Sequence, residues 1–432
     1  MTWSDVTSST NAFRVNLSCN VYDVTGMTSF FNSHQELLFS LGTVNSNLAN
    51  SLTKIINPTM HFQIGDFVKL PYLSKISLEK ISSRVEECIR ISKDDWNSYE
   101  TTWDFKVNPL VKISNSESSL EATYNTLRTM QKQLTSRLHE LECQNNQEIN
   151  RAYDIEDEFS SDVNIENITL TCNPYYRYRQ QSDKSEGKLE ELFKKDTIKE
   201  LISYAVGCMF GRYSLDKEGL ILAKQGQSVE DYFNAIPNPR FKIDEDNVIP
   251  FLDTEYFEDD IVTRFNSFIK VAFGEQHYDE NIRFITKALG VDFLRDYFTK
   301  FFYDDHCSMY GKRPIYWMFS SPKNSFNVLI YIHRYQKDTV SVILNDYLRN
   351  YRSKIDAEIQ HETEVLGKED LTTAQKSKLS KQLDKHKKII VEIEAYEKDV
   401  LYPMSLNALE MNLDDGVKAN YAKFGKALRK IK

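Results

Sequence analysis

The sequence predicts an α+β protein that is predominantly helical. Three observations carry that expectation. Apolar residues recur at helical spacing along several long segments, most clearly over 338–366 and 373–400. Two short runs, Ile315–Phe319 and Phe326–Ile332, are instead almost continuously β-branched and aromatic. The Ser320–Ser325 link between them holds Pro, Lys and Asn, so the pair reads as a β-hairpin covered on both faces. Finally, 432 residues with 41% hydrophobic and 27% charged content, 14 Gly and 10 Pro describe a folded chain with room for two or three cores.

Taken in order, Met1–Val24 reads as short strands and turns. Ser33 and Glu36 form a capping box ahead of Leu37, Leu38, Leu41, Val44, Leu48, Leu52 and Ile55, so one helix is expected up to Asn57-Pro58. Met60–Leu70 then alternates like a strand, with Gly65-Asp66 as its turn or bulge. Leu78, Ile81, Val85 and Ile89 mark a second helix. Residues 118–150 carry one apolar stripe (Leu120, Tyr124, Leu127, Leu134, Leu138, Leu141) on a helix of roughly 45 Å, which suits a spacer or coiled-coil arm as well as a core helix. Ile165–Arg179 reads as a strand running into a polar loop, Asp196 as the cap of a helix through Met209, and Asp231–Phe241 as a loop. Aromatic helices are expected over Asp259–Phe273, Glu280–Leu289 and Asp292–Phe302. Beyond the β-hairpin, Asp338–Leu366 and Thr373–Val400 form an antiparallel helical hairpin closed by Gly367–Thr372, its outer faces mixing Lys and Glu as a solvated surface. A short terminal helix carries Lys423, Lys426, Arg429, Lys430 and Lys432, where a basic last turn complements the helix dipole.

Charge narrows the functional classes. A net charge of −9 argues against a uniformly basic nucleic-acid binder, so any such contact must be local; the acids themselves cluster, eight of them in Asp244–Asp260 with no basic residue. The six cysteines (Cys19, Cys88, Cys143, Cys172, Cys208, Cys307) lack ligand spacing and read as reduced thiols of a cytoplasmic protein, and no apolar run approaches membrane-spanning length. Metal spacing among the histidines, a P-loop and a nucleophile elbow are all lacking; Asp304-Asp305-His306 is the one acid–His cluster and reads as a solvated loop.

Cations interleaved with aromatics are the remaining signal, because phosphates and stacked bases suit that mixture. Lys312, Arg313, Lys323, His333 and Arg334 fall at the turn and open ends of the β-hairpin, beside Tyr310, Tyr316, Trp317, Tyr331 and Tyr335. Arg177 and Arg179 alternate with Tyr175, Tyr176 and Tyr178, and Arg212 with Tyr213 joins them; arginines paired with the acids of 186–196 are the structural alternative. Asn57, His61, Gln63 and Lys69, with Arg14 from the first strands, form a polar set suited to base edges and phosphates. Each also has an ordinary role as a helix end, a turn residue or a solvated side chain. Asn173-Pro174-Tyr175-Tyr176 is close to the Asn-Pro-Pro-Tyr motif with which amino-group methyltransferases hold a flipped base, but Tyr175 replaces the second proline and no Gly-rich donor loop precedes it.

The stretches KRPIYWMFSS (312–321) and FNVLIYIHRY (326–335) resemble the C-terminal part of the adenine-specific DNA methyltransferases of BREX phage-defence systems, the PglX type. INPTMHFQIGD (56–66), WDFKVNPL (103–110), NPYYRY (173–178), ISYAVGCMFGRYSLD (202–216) and DDGVKANYAKFGKAL (414–428) fit the same family. The resemblance implies a target-recognition module over 1–75, a helical spacer over 76–155, a mixed C-terminal domain over 156–337 and the helical hairpin with basic tail over 338–432. In the family Trp3-Ser4-Asp5 lies within the recognition region, which implies a split subunit or a shortened chain here. The intact family transfers a methyl group from S-adenosylmethionine to adenine N6 in restriction–modification-like defence. This chain would then hold no cofactor and no catalytic residue. Its partners would be double-stranded DNA, a methyltransferase catalytic domain or chain, and other BREX subunits. The alternatives are a scaffold that docks other defence subunits and a self-sufficient enzyme using Asn173.

Overall fold

The structure, a computed structural model, describes residues 1–7, 11–16, 23–71, 78–115, 117–368 and 371–431. Cys19, Lys432, the Leu78 side chain, residues 369–370 of the hairpin connection and parts of the N-terminal strands and turns lie outside what is described. The expected fold class is borne out: helices dominate, and the described residues hold one two-stranded and one three-stranded antiparallel sheet. The chain forms two compact units, one built from Met1–Ser98 and Thr126–Phe193, the other from Tyr99–Asn125 and Lys194–Lys432.

In the first unit β1 (Thr2–Ser4) pairs antiparallel with β2 (Gly26–Thr28). Helices α1 (His34–Val44), α2 (Asn47–Ile56) and α3 (Leu78–Trp96) follow. Trp3, Phe13, Phe39, Phe62, Ile81, Val85 and Ile149 share one core. At Gly42 a Cβ would stand 2.7 Å from Val85 and 2.9 Å from Ile81, so only glycine lets α1 lie this close to α3. One helix was expected over 33–55 and two are found. Ser33 caps the first by accepting from the Glu36 N–H, and Ser46 opens the second by accepting from the Ala49 N–H at 3.1 Å. The long helix α4 (Leu120–Ala152) contributes its residues from Thr126 onward to this unit. Leu138 and Leu141 are buried with Ile91, Ile168, Leu170 and Phe193, so the apolar stripe serves a core and not a free arm.

Two strands expected in this unit are absent. Over 60–70 only His61 keeps a bridge, to Val6, and Ile64–Phe67 turns into a short helix because the Asp66 carboxylate accepts from the Gln63 N–H at 3.3 Å. Over 165–179 side chains replace a ladder. Asn164 and Asn173 cap short helical turns, and the Asp95 carboxylate takes the N–H groups of Thr171 at 2.6 Å and Cys172 at 3.0 Å.

Helix α5 (Glu186–Met209) starts ten residues before Asp196, the expected cap, because Leu189 and Phe193 are already buried, and its residues from Lys194 onward belong to the second unit. The expected loop over 231–241 includes a helical turn, Val229–Ala235. Helices α6 (Ile261–Phe273), α7 (Tyr278–Leu289) and α8 (Tyr303–Met309) lie in the chain between the first strand of the sheet and its hairpin. In that sheet β3 (Ile249–Pro250) and β4 (Tyr316–Ser320) flank β5 (Asn327–Tyr331), with Trp317 opposite Ile330 and Phe319 opposite Val328. Every residue of β4 and β5 is buried, as a hairpin covered on both faces requires. The helical hairpin is present as α9 (Arg349–Leu366) and α10 (Thr373–Tyr396), the latter opened by the Thr372 cap, and α11 (Gly416–Phe424) closes over Trp317 and Phe319.

Candidate nucleic-acid interface

In the first unit the candidate side chains stand on a backbone pinned from beneath. Phe62 is buried against Phe13, and its carbonyl accepts from the Trp3 indole N–H at 2.9 Å. Alternation across this anchored residue turns His61 and Gln63 outward. Asn57 ends α2 and is spent locally. Its amide donates to Asp66 at 2.7 Å, and its carbonyl oxygen accepts from the Thr59 N–H at 3.0 Å and hydroxyl at 2.7 Å. Asp66 is the hub of the segment: it also meets the Lys69 ammonium at 3.3 Å, and the Asn57 hydrogen bond helps hold its carboxyl below the usual range. Sequence reasoning treated Asp66 as a turn residue, and no local signal marks it as a hub. His61 Nδ1 faces Asp5 at 3.2 Å. Arg14, exposed and paired through its backbone with Thr2, donates one guanidinium N–H to the Phe13 carbonyl at 3.1 Å. Arg14, His61, Gln63 and Lys69 are therefore the exposed polar set, with Asn57 as the residue that shapes their backbone.

Asn173 is 1% exposed. Its amide donates to the Ile165 carbonyl at 2.8 Å and the Ile168 carbonyl at 2.9 Å, and its oxygen accepts from the Tyr175 N–H at 3.2 Å. Buried and turned onto three backbone groups, this side chain is not presented to a flipped base. Arg177 lies over Tyr178 and Phe193 at 5.7 and 5.6 Å, whereas Arg179 is exposed and lies over Tyr176 at 5.5 Å. Arg128, from α4, is bidentate to Glu190 at 2.8 Å through both nitrogens.

In the second unit the candidates separate. Lys312, Arg313 and Lys323 are exposed, and Lys312 has the left-handed backbone (φ 62°) of a tight turn before β4. Lys323 sits in the β4–β5 turn, which the carboxylate of Glu392 on α10 clamps. That carboxylate accepts from the Ser321 hydroxyl at 2.5 Å, the Lys323 N–H at 2.6 Å and the Ser325 hydroxyl at 2.5 Å. Arg334, expected at an open rim, is instead 5% exposed. It donates to the Asp244 and Glu245 carbonyls at 2.9 Å and the Phe210 carbonyl at 3.3 Å, so it braces the loop after β5 from inside. Tyr316, Trp317, Tyr331 and Tyr335 are likewise buried and present no ring to solvent.

Arg212 also points inward, to the hydroxyls of Tyr331 at 2.9 Å and Tyr213 at 3.1 Å. Nearby in this polar, aromatic interior is Glu100, whose carboxyl burial pushes upward in pKa and which accepts from the Tyr310 hydroxyl at 2.8 Å. His306, expected in a solvated loop, lies on α8 in the same interior. Burial pushes it down to about 3, and its neutral Nε2 accepts from the N–H groups of Ile315 at 3.2 Å and Tyr316 at 3.1 Å. Glu100 carries no sequence signal, since a lone glutamate beside a tyrosine looks like surface.

The three isolated glycines ahead of Asn173 fall in three different elements. Gly26 lies in β2, Gly42 inside α1 and Gly65 inside the 64–67 turn, so none stands on a strand-to-helix turn able to cradle a methyl donor. Among the described residues no group of three or more His, Cys, Asp or Glu could hold a metal ion, and no helix is long and apolar enough to cross a membrane.

Comparison with known proteins supplies the family. No family model matches the chain. It is 33% identical over 452 residues to the adenine-specific methyltransferase BrxX of Escherichia coli O9:H4 (strain HS), an alignment that covers 100% of this chain and 36% of that protein. The chain is a relative of the PglX-type methyltransferases. The adenine-specific methyltransferase PglX of Lacticaseibacillus casei (strain Zhang) is likewise 33% identical over 439 residues, covering 98% of this chain and 34% of that protein. The resemblance seen in the separate sequence stretches is thus borne out along the whole chain, which spans about a third of the length of these PglX-type relatives.

Proposed function

We propose that this chain is the DNA-recognition and C-terminal portion of a BREX-type, site-specific N6-adenine methyltransferase, with the methyl transfer from S-adenosylmethionine carried out by a catalytic domain outside these residues. The observation that supports it most is identity along the entire chain to a third of two adenine-specific methyltransferases. Asn173 locked into backbone hydrogen bonds agrees with a role other than holding a flipped base. Double-stranded DNA is the partner. Arg14, His61, Gln63 and Lys69 supply base and phosphate contacts, and Arg179, Lys312, Arg313 and Lys323 add charge.

The test is a chimera in which this chain replaces the corresponding third of the Escherichia coli relative, followed by mapping of N6-methyladenine. Methylation should move to a new set of sites. Methylation at the recipient's own sites would remove the recognition role. A second reading, docking of a protein partner, draws on Ile55, Met60, Ile64 and Val68, all at least half exposed, and on an apolar cavity of about 340 Å³ that Phe67, Val68 and Leu52 line. It predicts that the chimera keeps the recipient's sites.

A further inference from the structure

Helix α10 opens on a basic stretch within this acidic chain. Residues 373–388 hold six lysines against the single acid Asp384, a balance of +5 (six minus one) within a protein of net charge −9. Lys378, Lys381, Lys385 and Lys388 follow one another by three, four and three residues, the spacing that lines side chains along one face of a helix. All four are exposed. Lys385 meets Asp253 at 3.2 Å, and the other three have no carboxylate partner among the described residues. Three glutamates of the hairpin are committed to other partners: Glu358 and Glu362 face His386 at 3.3 and 3.1 Å, and Glu397 takes Arg349 and Arg352 at 2.7 Å.

The line has a continuation. Glu392 stands one turn beyond Lys388 on the same face, and it is the residue that clamps the β4–β5 turn. The Lys323 backbone is thereby held at the end of the lysine row. From Lys378 to Lys388 the helix rises about 15 Å, a length over which a duplex carries roughly nine phosphate charges.

We propose that this row and the Lys323 turn form a track for the sugar–phosphate backbone of double-stranded DNA, binding without regard to sequence. The proposal rests on the reading of the chain as a DNA-binding part, and it locates the electrostatic share of that binding on α10. Lysines suit the role because an ammonium on a long stem meets a phosphate as a point charge and carries no base preference.

The experiment measures duplex affinity against salt for the full chain, for the set Lys378→Gln, Lys381→Gln, Lys385→Gln and Lys388→Gln, and for the pair Lys376→Gln and Lys387→Gln about 150° round the helix. The matching set of four Lys→Arg changes keeps the charge, and circular dichroism checks the fold of each. The quadruple Gln variant should flatten the slope of log affinity against log salt by about 0.9 for each phosphate it no longer neutralises, up to about 3.6, while the pair and the Arg set keep it. An unchanged slope in the quadruple variant, with the native chain binding duplex, overturns the track and leaves the DNA reading standing. Equal losses in the control pair overturn it too, since any lysine would then serve. A native chain that binds no duplex at low salt overturns both.

Discussion

At the scale of single residues the structure divides the candidate cations by what their nitrogens already hold. Arg334 and Arg212 spend theirs on carbonyls and tyrosine hydroxyls inside the second unit, whereas Arg14, Arg179 and Lys323 keep charged groups in solvent. The sequence shows only that cations sit near aromatics, and an aromatic-rich core needs buried donors as much as a nucleic-acid surface does. The consequence for Arg334 is sharp. Truncation removes the donor from the buried Phe210 and Asp244 carbonyls and from the part-buried Glu245 carbonyl, the buried ones worth about 1–3 kcal/mol each before water and relaxation recover part of that. Arg334→Ala should therefore cost about 2–4 kcal/mol in urea unfolding, and folded variant protein should keep the native duplex affinity. A stable variant with weakened DNA binding would return Arg334 to the interface.

At the scale of elements, legibility followed the reach of the forces. The β-hairpin and the helical hairpin were legible because burial on a fixed face writes a period into the sequence. The split of the first helix and the loss of two strands were not. Ser46, Asn164, Asn173 and Asp95 act through one to three hydrogen bonds each to the backbone, and isolated bonds of this kind leave no period. The row on α10 was legible in spacing, yet mixed charge on a helical hairpin usually means a solvated face. Only the commitment of the facing glutamates to other partners sets it apart. The β4–β5 turn is the element that depends most on one distant residue, since Glu392 lies 71 positions from Ser321 in the chain. Glu392→Ala removes the acceptor of two hydroxyls and one N–H and should destabilise the protein by about 2 kcal/mol, whereas Glu392→Gln, which still accepts, should cost about half as much. Urea midpoints measure both, and a loss below roughly 0.5 kcal/mol for the Ala variant would mean that the turn holds itself.

At the scale of the whole molecule, the proposed DNA role asks two different things of the exposed side chains. Sequence discrimination needs donors and acceptors at base edges; affinity needs only charge near phosphates. In the first unit, Gln63 and Arg14 are exposed on a backbone fixed by the burial of Phe62, Phe13 and Trp3 and by the Asn57–Asp66 pair, a rigid mount of the kind that base readout requires. Asn57 itself now belongs to the mount. Arg179 lies over a tyrosine ring in a short capped turn and offers charge without a comparable frame. In a complete methyltransferase carrying this chain, Gln63→Ala or Arg14→Ala should therefore alter which sites are methylated. Removing one base-edge hydrogen-bond pair is worth about 1–3 kcal/mol, roughly ten- to hundredfold in relative use of cognate and near-cognate sites. Arg179→Ala should lower methylation at all sites alike and reduce the salt slope by about 0.9. Long-read mapping of N6-methyladenine across a genome scores every site at once. If site preference is unchanged in both first-unit variants while total methylation falls, that segment holds phosphates and the bases are read by another part of the chain.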